Sequence, residues 1–552
     1  MLLLGTVAQD IIRKIQRDLA TGQFSAAQKR VKSLAKKEPQ NAGLQNLAGM
    51  CFAKADAHRA SIPYFLAAVR VAPESLDFQS NLILSLTMSG QHDKAETIIA
   101  RLLQNTPRAA KLHFLSAFCR LRRDDPKGAI AAADATLEID PHYTEALSIR
   151  GLARSELSQT QAALADFQRI IDIDPDDIEA RQNCAERLNE LGRGKEALLQ
   201  YQAILARDPH HAYALSRVAL LGDLNSLPGL LETVKTVLAK NPKVREDIAL
   251  LNMAMATALR RQGRVDEAMT FFDKAHAIDA KDRPYSSTEA WAEFNRLRGL
   301  FPKNAPSSTS TGLSEMPIFI VGLPRSGTTL VEMILSSNPN VQACGELVSA
   351  ERWYREIFAS KKAIDEADIE RFAQCYRRDL PEVAPGTIAF IDKMPANFRF
   401  LGLLMAAFPQ SKIVNIQRDP RDVALSMWMQ RFPSKGMYYA SKMSGIADQA
   451  NLYQSYMAHW QSLFPDQILS IGYEDLVRDM TAGTRALADH CGVEWDEDML
   501  HPEKNTATIK TASLNQAREE VHDRSIGRWV ELGGNLKILE AKLDPKLWTN
   551  LA

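Results

Sequence analysis

Between Pro317 and Val341 the chain reads PIFIVGLPRSGTTLVEMILSSNPNV: an apolar strand, a turn rich in small hydroxyl residues, then an amphipathic helix. Residues of this kind in this order make a cradle for a tetrahedral oxyanion, because a turn opening a helix N-terminus directs backbone N–H groups and the positive end of the helix dipole at one point. The candidate binding residues are Arg325, Ser326, Gly327, Thr328 and Thr329. Gly322 and Gly327 keep the spacing of a nucleotide phosphate loop, but Thr328 stands where an ATP-hydrolysing loop carries Lys. The loop therefore implies phosphate or sulfate binding and argues against NTP hydrolysis.

A second constellation follows about a hundred residues later. KIVNIQRDPRDVALSMW, Lys412 to Trp428, is a strand ending in Arg418 and a helix presenting Ser426. A cation and a hydroxyl so far from the first cradle suit a ligand with two separated anionic groups. PRSGTT followed by strand, RDPRD and helix resembles the sulfotransferases that use 3'-phosphoadenosine 5'-phosphosulfate (PAPS), and more closely the protein-tyrosine sulfotransferases and their bacterial relatives. That resemblance implies a PAPS donor with 3',5'-adenosine bisphosphate as product, no metal, and an α/β P-loop-like domain with a mostly parallel sheet. It implies Glu346 in Cys344-Gly345-Glu346 as the base for an acceptor hydroxyl. Lys393 in IDKMPANF would sit at the donor's bridging oxygen and Ser513 in TASLNQAR at the transferring group. Arg418, Ser426 and Arg528 would hold the 3'-phosphate, and Tyr473 would contact the donor. The family pattern has Lys before the Trp at 529, where this chain has Arg528; an Arg expected about four residues after Ser426 is replaced by Gln430, with Arg431 next to it.

These residues need a sheet to position them, and strands are expected near 317–322, 388–391, 412–416 and 467–471, with ligands at their C-terminal ends. The resemblance spans under half of the chain. The rest is a repeat array: Pro39, Pro73, Pro107, Pro141, Pro175 and Pro209 recur every 34 residues, and Pro242 follows after 33. Ala27, Ser61, Ala95, Ala129, Ala163 and Ala197 keep the same period, as do Val31, Phe65, Ile99, Ala133, Phe167 and Tyr201. This is the tetratricopeptide signature, an all-α solenoid of stacked helical pairs. About eight pairs are expected over 1–300, with a looser seventh containing Gly222 and Pro228 and an eighth, about Arg245 to Asp282, acting as a cap. Trp291 and Phe294 are placed to dock the next helix onto the following domain. A polar Ser/Thr-rich linker is expected at 301–315 and the sulfotransferase-like domain at 316–552.

Composition mostly excludes. Lys plus Arg and Asp plus Glu are 67 each, so no general basic field for nucleic acid exists. Six scattered Cys suit a reducing compartment better than a disulfide scaffold, and Cys344 reads as a packing residue. The apolar run at the N-terminus is too short for a signal or an anchor, and no long apolar segment follows, so a cytoplasmic, bacterial protein is expected. The functional expectation is sulfuryl transfer to a protein tyrosine, with the repeat groove recruiting a protein or peptide acceptor. Two alternatives stay open: a saccharide, lipid or small-phenol acceptor with the repeats used for assembly or homo-oligomerisation, and a non-catalytic repeat scaffold that binds a phosphonucleotide.

Overall fold

The computed structural model describes residues 6–225, 227–301, 313–361, 363–432, 435–505 and 519–549. Ser513 and most of the expected linker lie outside the described residues. Contacts divide the chain into two compact units, Met1–Cys184 and Ala185–Ala552, so this division falls inside the repeat array. Among the described residues no helix is long and apolar enough to cross a membrane.

The repeat helices run in pairs from Thr6–Ala20 with Phe24–Lys37 to Arg245–Arg261 with Val265–Asp282, eight pairs among the described residues. The 34-residue period acts through packing. Every one of the small markers and of the residues four positions on is buried. Where that second position is Phe, the facing helix supplies Gly: a Cβ on Gly49 would lie 2.5 Å from Phe65, and one on Gly151 2.8 Å from Phe167. The prolines act through turns. In Asp140-Pro141, Asp174-Pro175 and Asp208-Pro209 the Asp Oδ1 accepts the N–H two residues on, 3.0 Å in each case, an Asx turn that ends one pair and starts the next.

The second unit holds a five-stranded sheet: β1 Met316–Gly322, β2 Val341–Ala343, β3 Ala389–Asp392, β4 Lys412–Gln417 and β5 Ile468–Gly472, in the order β2-β3-β1-β4-β5. Every pairing in it is parallel. β2 was not expected from the sequence; at three residues it is too short for a periodic signal. β1 is central and buried almost throughout, which explains its continuous apolar run, since helices cover both faces of a parallel sheet. One face packs Ile318, Ile320, Val331, Ile334, Val414 and Ile416, and the other packs Phe319 edge-on against Tyr376. Helix Ser287–Leu300 docks as its aromatics suggested: Trp291 Nε1 donates to Asp448 Oδ1 (3.1 Å), and Phe294 meets the Tyr456 ring with centroids 4.6 Å apart.

Candidate functional site

The sheet order gathers the loops. β1, β4 and β5 are neighbours, so the turns after Gly322, Gln417 and Gly472 converge at their C-terminal ends, where open parallel sheets bind ligands. After β1 the chain turns through Arg325, at φ +73°, and Gly327, at φ +112°, into helix Thr328–Leu335. Gly327 is required twice over: its φ disfavours any side chain, and a Cβ would lie 2.6 Å from Tyr473 Cδ2. Ser326, Thr328 and Thr329 are buried, and Ser326 Oγ has no hydrogen-bond partner.

Arg325 links the turn after β1 to the helix that carries Ser426. Its side chain is buried, and its Nε donates to Ser426 Oγ at 2.9 Å. Burial, aided by the neighbouring Arg418 cation, pushes the Arg325 guanidinium down to about 10. Arg418 donates to Arg325 O (3.3 Å) and to Ser525 O (2.7 Å), lies 4.3 Å over the Tyr473 ring, and has a buried Nε without a partner. The Tyr473 hydroxyl meets Ser525 Oγ at 3.0 Å. Two close guanidiniums beside unpartnered buried donors form an arrangement that an anion would stabilise. Arg325, Gly327, Thr329, Arg418, Ser426, Tyr473 and Arg528 line one cavity.

The Glu346–Lys393 ion pair comes from the other side of β1. β2 and β3 run in register, Val341 opposite Ala389 and Ala343 opposite Ile391, so the loops leaving them lie side by side. Cys344 N donates to Ile391 O, Lys393 N to Gly345 O, both at 2.9 Å, and Leu347 N to Asp392 Oδ1 at 3.3 Å. This stitching brings Lys393 Nζ to 2.6 Å from Glu346 Oε1, with Glu332 Oε2 3.8 Å away. Lys393 is fully buried, whereas the Glu346 side chain is 36% exposed, so the carboxylate can meet an incoming molecule and the ammonium cannot leave. Asp392 accepts from Tyr376 (2.6 Å) and Asn397 (2.9 Å), and burial raises its carboxyl to about 7. Burial pushes the Cys344 thiol up to about 12, which fits a packing residue and not a nucleophile.

Residues 317–497 match the family model described as "Sulfotransferase family", and 12–75, 81–144 and 120–178 match that of the tetratricopeptide repeat. The chain carries a sulfotransferase-family domain behind tetratricopeptide repeats. An uncharacterized protein of Aquifex aeolicus is 27% identical over 317 residues, 54% of this chain and 42% of the relative. The chain thus spans less than half the length of that relative. Protein-tyrosine sulfotransferase 1 of Danio rerio is 27% identical over 238 residues, 39% of this chain and 66% of the relative. The sulfotransferase domain of a Synechococcus olefin synthase aligns over 44% of this chain and 96% of its own, at 18% identity and a TM-score of 0.30.

In the sulfotransferase-family domain the structure brings together Arg325, Ser326, Gly327, Thr328, Thr329, Arg418, Ser426 and Tyr473, and separately Glu346 with Lys393. Arg528 reaches the cavity, but its Nε donates to Glu531 Oε1 at 2.7 Å, and Glu531 Oε2 also takes Arg260 Nε at 3.0 Å. Arg431 does not line the cavity. Its Nε and Nη2 hold Asp279 at 2.7 and 2.8 Å, and its Nη1 holds Glu246 at 2.5 Å. Beside it, His276 stacks on Trp428 with centroids 3.9 Å apart and bonds Trp428 O through Nε2 at 2.8 Å, while Trp428 Nε1 donates to Asp273. The eighth helical pair therefore buttresses the helix that carries Ser426. Sequence reasoning missed Ser525, Asp422, whose carboxylate accepts the N–H groups of Gly527 and Trp529 (2.7 and 2.8 Å), and Glu332. Only Glu332 carried a signal, as an acid inside an otherwise apolar helix stretch.

Proposed function

We propose that the chain moves a sulfuryl group from PAPS to an acceptor hydroxyl, that of a protein tyrosine, and that the repeats recruit the acceptor. The observation that carries this reading is the pairing of a partly exposed carboxylate with a fully buried ammonium, Glu346 with Lys393 at 2.6 Å, in a domain that also gathers Arg325, Arg418 and Ser426 around one cavity. The residues fit the donor: Ser326 Oγ and the Arg418 Nε are buried donors without partners, and the φ of Gly327 opens the cradle to close backbone approach. The amides from Ser326 to Thr329 and Arg325 would hold the 5' end, and Arg418 and Ser426 the 3'-phosphate, with Arg528 as a further cation at the rim. PAPS is a substrate here, supplying an activated sulfuryl group on a phosphate leaving group.

In this reaction the acceptor oxygen bonds to sulfur as the bond from sulfur to the phosphate oxygen breaks. The acceptor proton goes to Glu346, and Lys393 balances the charge left on the phosphate. A phenol with an ordinary pKa of about 10 benefits from such a base. The names of relatives such as that of Danio rerio support tyrosine as the acceptor, and Ser513 enters the proposal from the sequence pattern alone.

The test is transfer from radiolabelled PAPS into a desalted lysate, with Glu346→Gln as control. Label on protein that vanishes with the control supports the proposal. Label confined to saccharide, lipid or small-phenol fractions overturns the tyrosine acceptor, and tight binding of adenosine 3',5'-bisphosphate with no transfer to anything overturns the enzyme.

A further inference from the structure

Glu332 lies four residues after Thr328 on the cradle helix, so the two share a face. Its side chain is buried, with Oε2 3.8 Å from Lys393 Nζ and Oε1 without a hydrogen-bond partner. An incompletely partnered carboxylate is costly at such a place, where its neighbours are Val331 and Met333. The titratable groups facing it are Lys393, Glu346 and Cys344. Packing gives no reason for the acid; the ammonium does.

Lys393 and Glu346 share one short ion pair in the structure, yet the proposed reaction sends them to different atoms. Glu346 has to turn to the acceptor hydroxyl, and Lys393 has to meet the phosphate oxygen. A fully buried ammonium that gives up its 2.6 Å carboxylate partner with no other charge close by would be uncompensated, the expensive situation for a buried charge. A second carboxylate fixed on a rigid helix removes that penalty.

We propose that Glu332 is a positioning residue, the resident counter-charge that keeps Lys393 in place when Glu346 is released to the acceptor. The proposal rests on the sulfuryl-transfer reading above, and in it Glu332 touches neither donor nor acceptor. Burial raises the Glu332 carboxyl above the usual range, so as the pH falls wild type takes up this proton and loses the charge before an ordinary Glu would. Once it is protonated, Glu332→Gln and wild type carry the same neutral group.

Two quantities are read across pH for wild type, Glu332→Gln and Glu332→Asp: affinity for adenosine 3',5'-bisphosphate by calorimetry, and kcat for transfer. Near neutral pH the Gln variant is expected to lose about tenfold in each, with the acceptor KM unchanged. The ratio to wild type should fall toward one as the pH is lowered, and the Asp variant, which keeps the charge, should keep a pH-dependent ratio of its own. A ratio independent of pH in the Gln variant is the signature of a packing defect and overturns the proposal, as does a Gln variant equal to wild type at neutral pH. If wild type binds the bisphosphate and transfers nothing, the sulfuryl-transfer reading fails while the binding ratio still decides the role of Glu332. A wild-type chain that binds no bisphosphate removes both.

Discussion

Arg431→Ala tests whether the eighth repeat pair supports the proposed donor site. The guanidinium makes three short bonds to Asp279 and Glu246, and the Arg431 and Asp279 side chains are only 9% and 8% exposed. Breaking a buried pair by removing one partner costs about 3–5 kcal/mol, because the remaining charge stays desolvated. Here Arg283 still reaches Asp279 at 3.3 Å and Glu246 at 2.8 Å, so the lower figure applies: about 3 kcal/mol off the C-terminal unit. The consequence for the donor site is smaller, because His276 and Asp273 keep their bonds to Trp428. Ser426 then shifts but remains, and a weakened hydrogen bond to the Arg325 cation loses up to about 1.5 kcal/mol, roughly tenfold in bisphosphate affinity. Urea unfolding followed by tryptophan fluorescence gives the first quantity and calorimetry the second. Replacing both partners, Arg431→Met with Asp279→Leu, should recover most of the stability, since an apolar pair of similar volume carries no desolvation cost. A loss below about 1 kcal/mol for the single variant, or a double variant as unstable as the sum of its parts, would refute the claim that a desolvated bridge holds the two elements.

Three further outcomes are expected. Gly327→Ala should weaken bisphosphate binding by at least tenfold in calorimetry, because a Cβ there would lie 2.6 Å from the Tyr473 ring and a side chain at φ +112° is strained. His276 has a pKa lowered mainly by burial, so it favours the neutral folded form; its contribution is present above its unfolded value of about 6.5 and is lost as the pH falls through the folded value. His276→Gln should therefore flatten the decline in urea stability on the acid side of pH 6.5 or so. Gly151→Val should cost the N-terminal unit about 1–3 kcal/mol in thermal or urea unfolding, since even a Cβ there would sit 2.8 Å from Phe167.

Parts of the site were legible because they are local. The cradle is one contiguous segment, and its Gly spacing, hydroxyl residues and following helix report a turn that opens a helix N-terminus wherever the sheet lies. Arg418 and Ser426 were legible for the same reason, as a strand end and the helix after it. The 34-residue period is likewise a short-range code, because each helix packs mainly on its sequence neighbours, and each small marker and the residue four positions after it are buried, while the prolines of the same period sit exposed in the turns.

What only the tertiary structure decided are the distances across the sheet. Glu346 and Lys393 are 47 residues apart and meet at 2.6 Å because β2 and β3 pair in parallel register, a fact set by long-range hydrogen bonding that no local pattern encodes. The role of Arg431 turned on the same kind of information: its sequence position allows a donor contact, whereas the fold gives it to Asp279 and Glu246. Glu332 reads in the sequence as an acid on an apolar helix, and becomes a partner of Lys393 only once the cradle helix is laid against the end of β3. The sequence by itself determined the kinds of groups and their local turns, because helix periods, caps and phosphate-loop geometry depend on neighbours a few residues away. The charges that balance one another across the site were decided by packing, because burial and electrostatic pairing depend on distance in space.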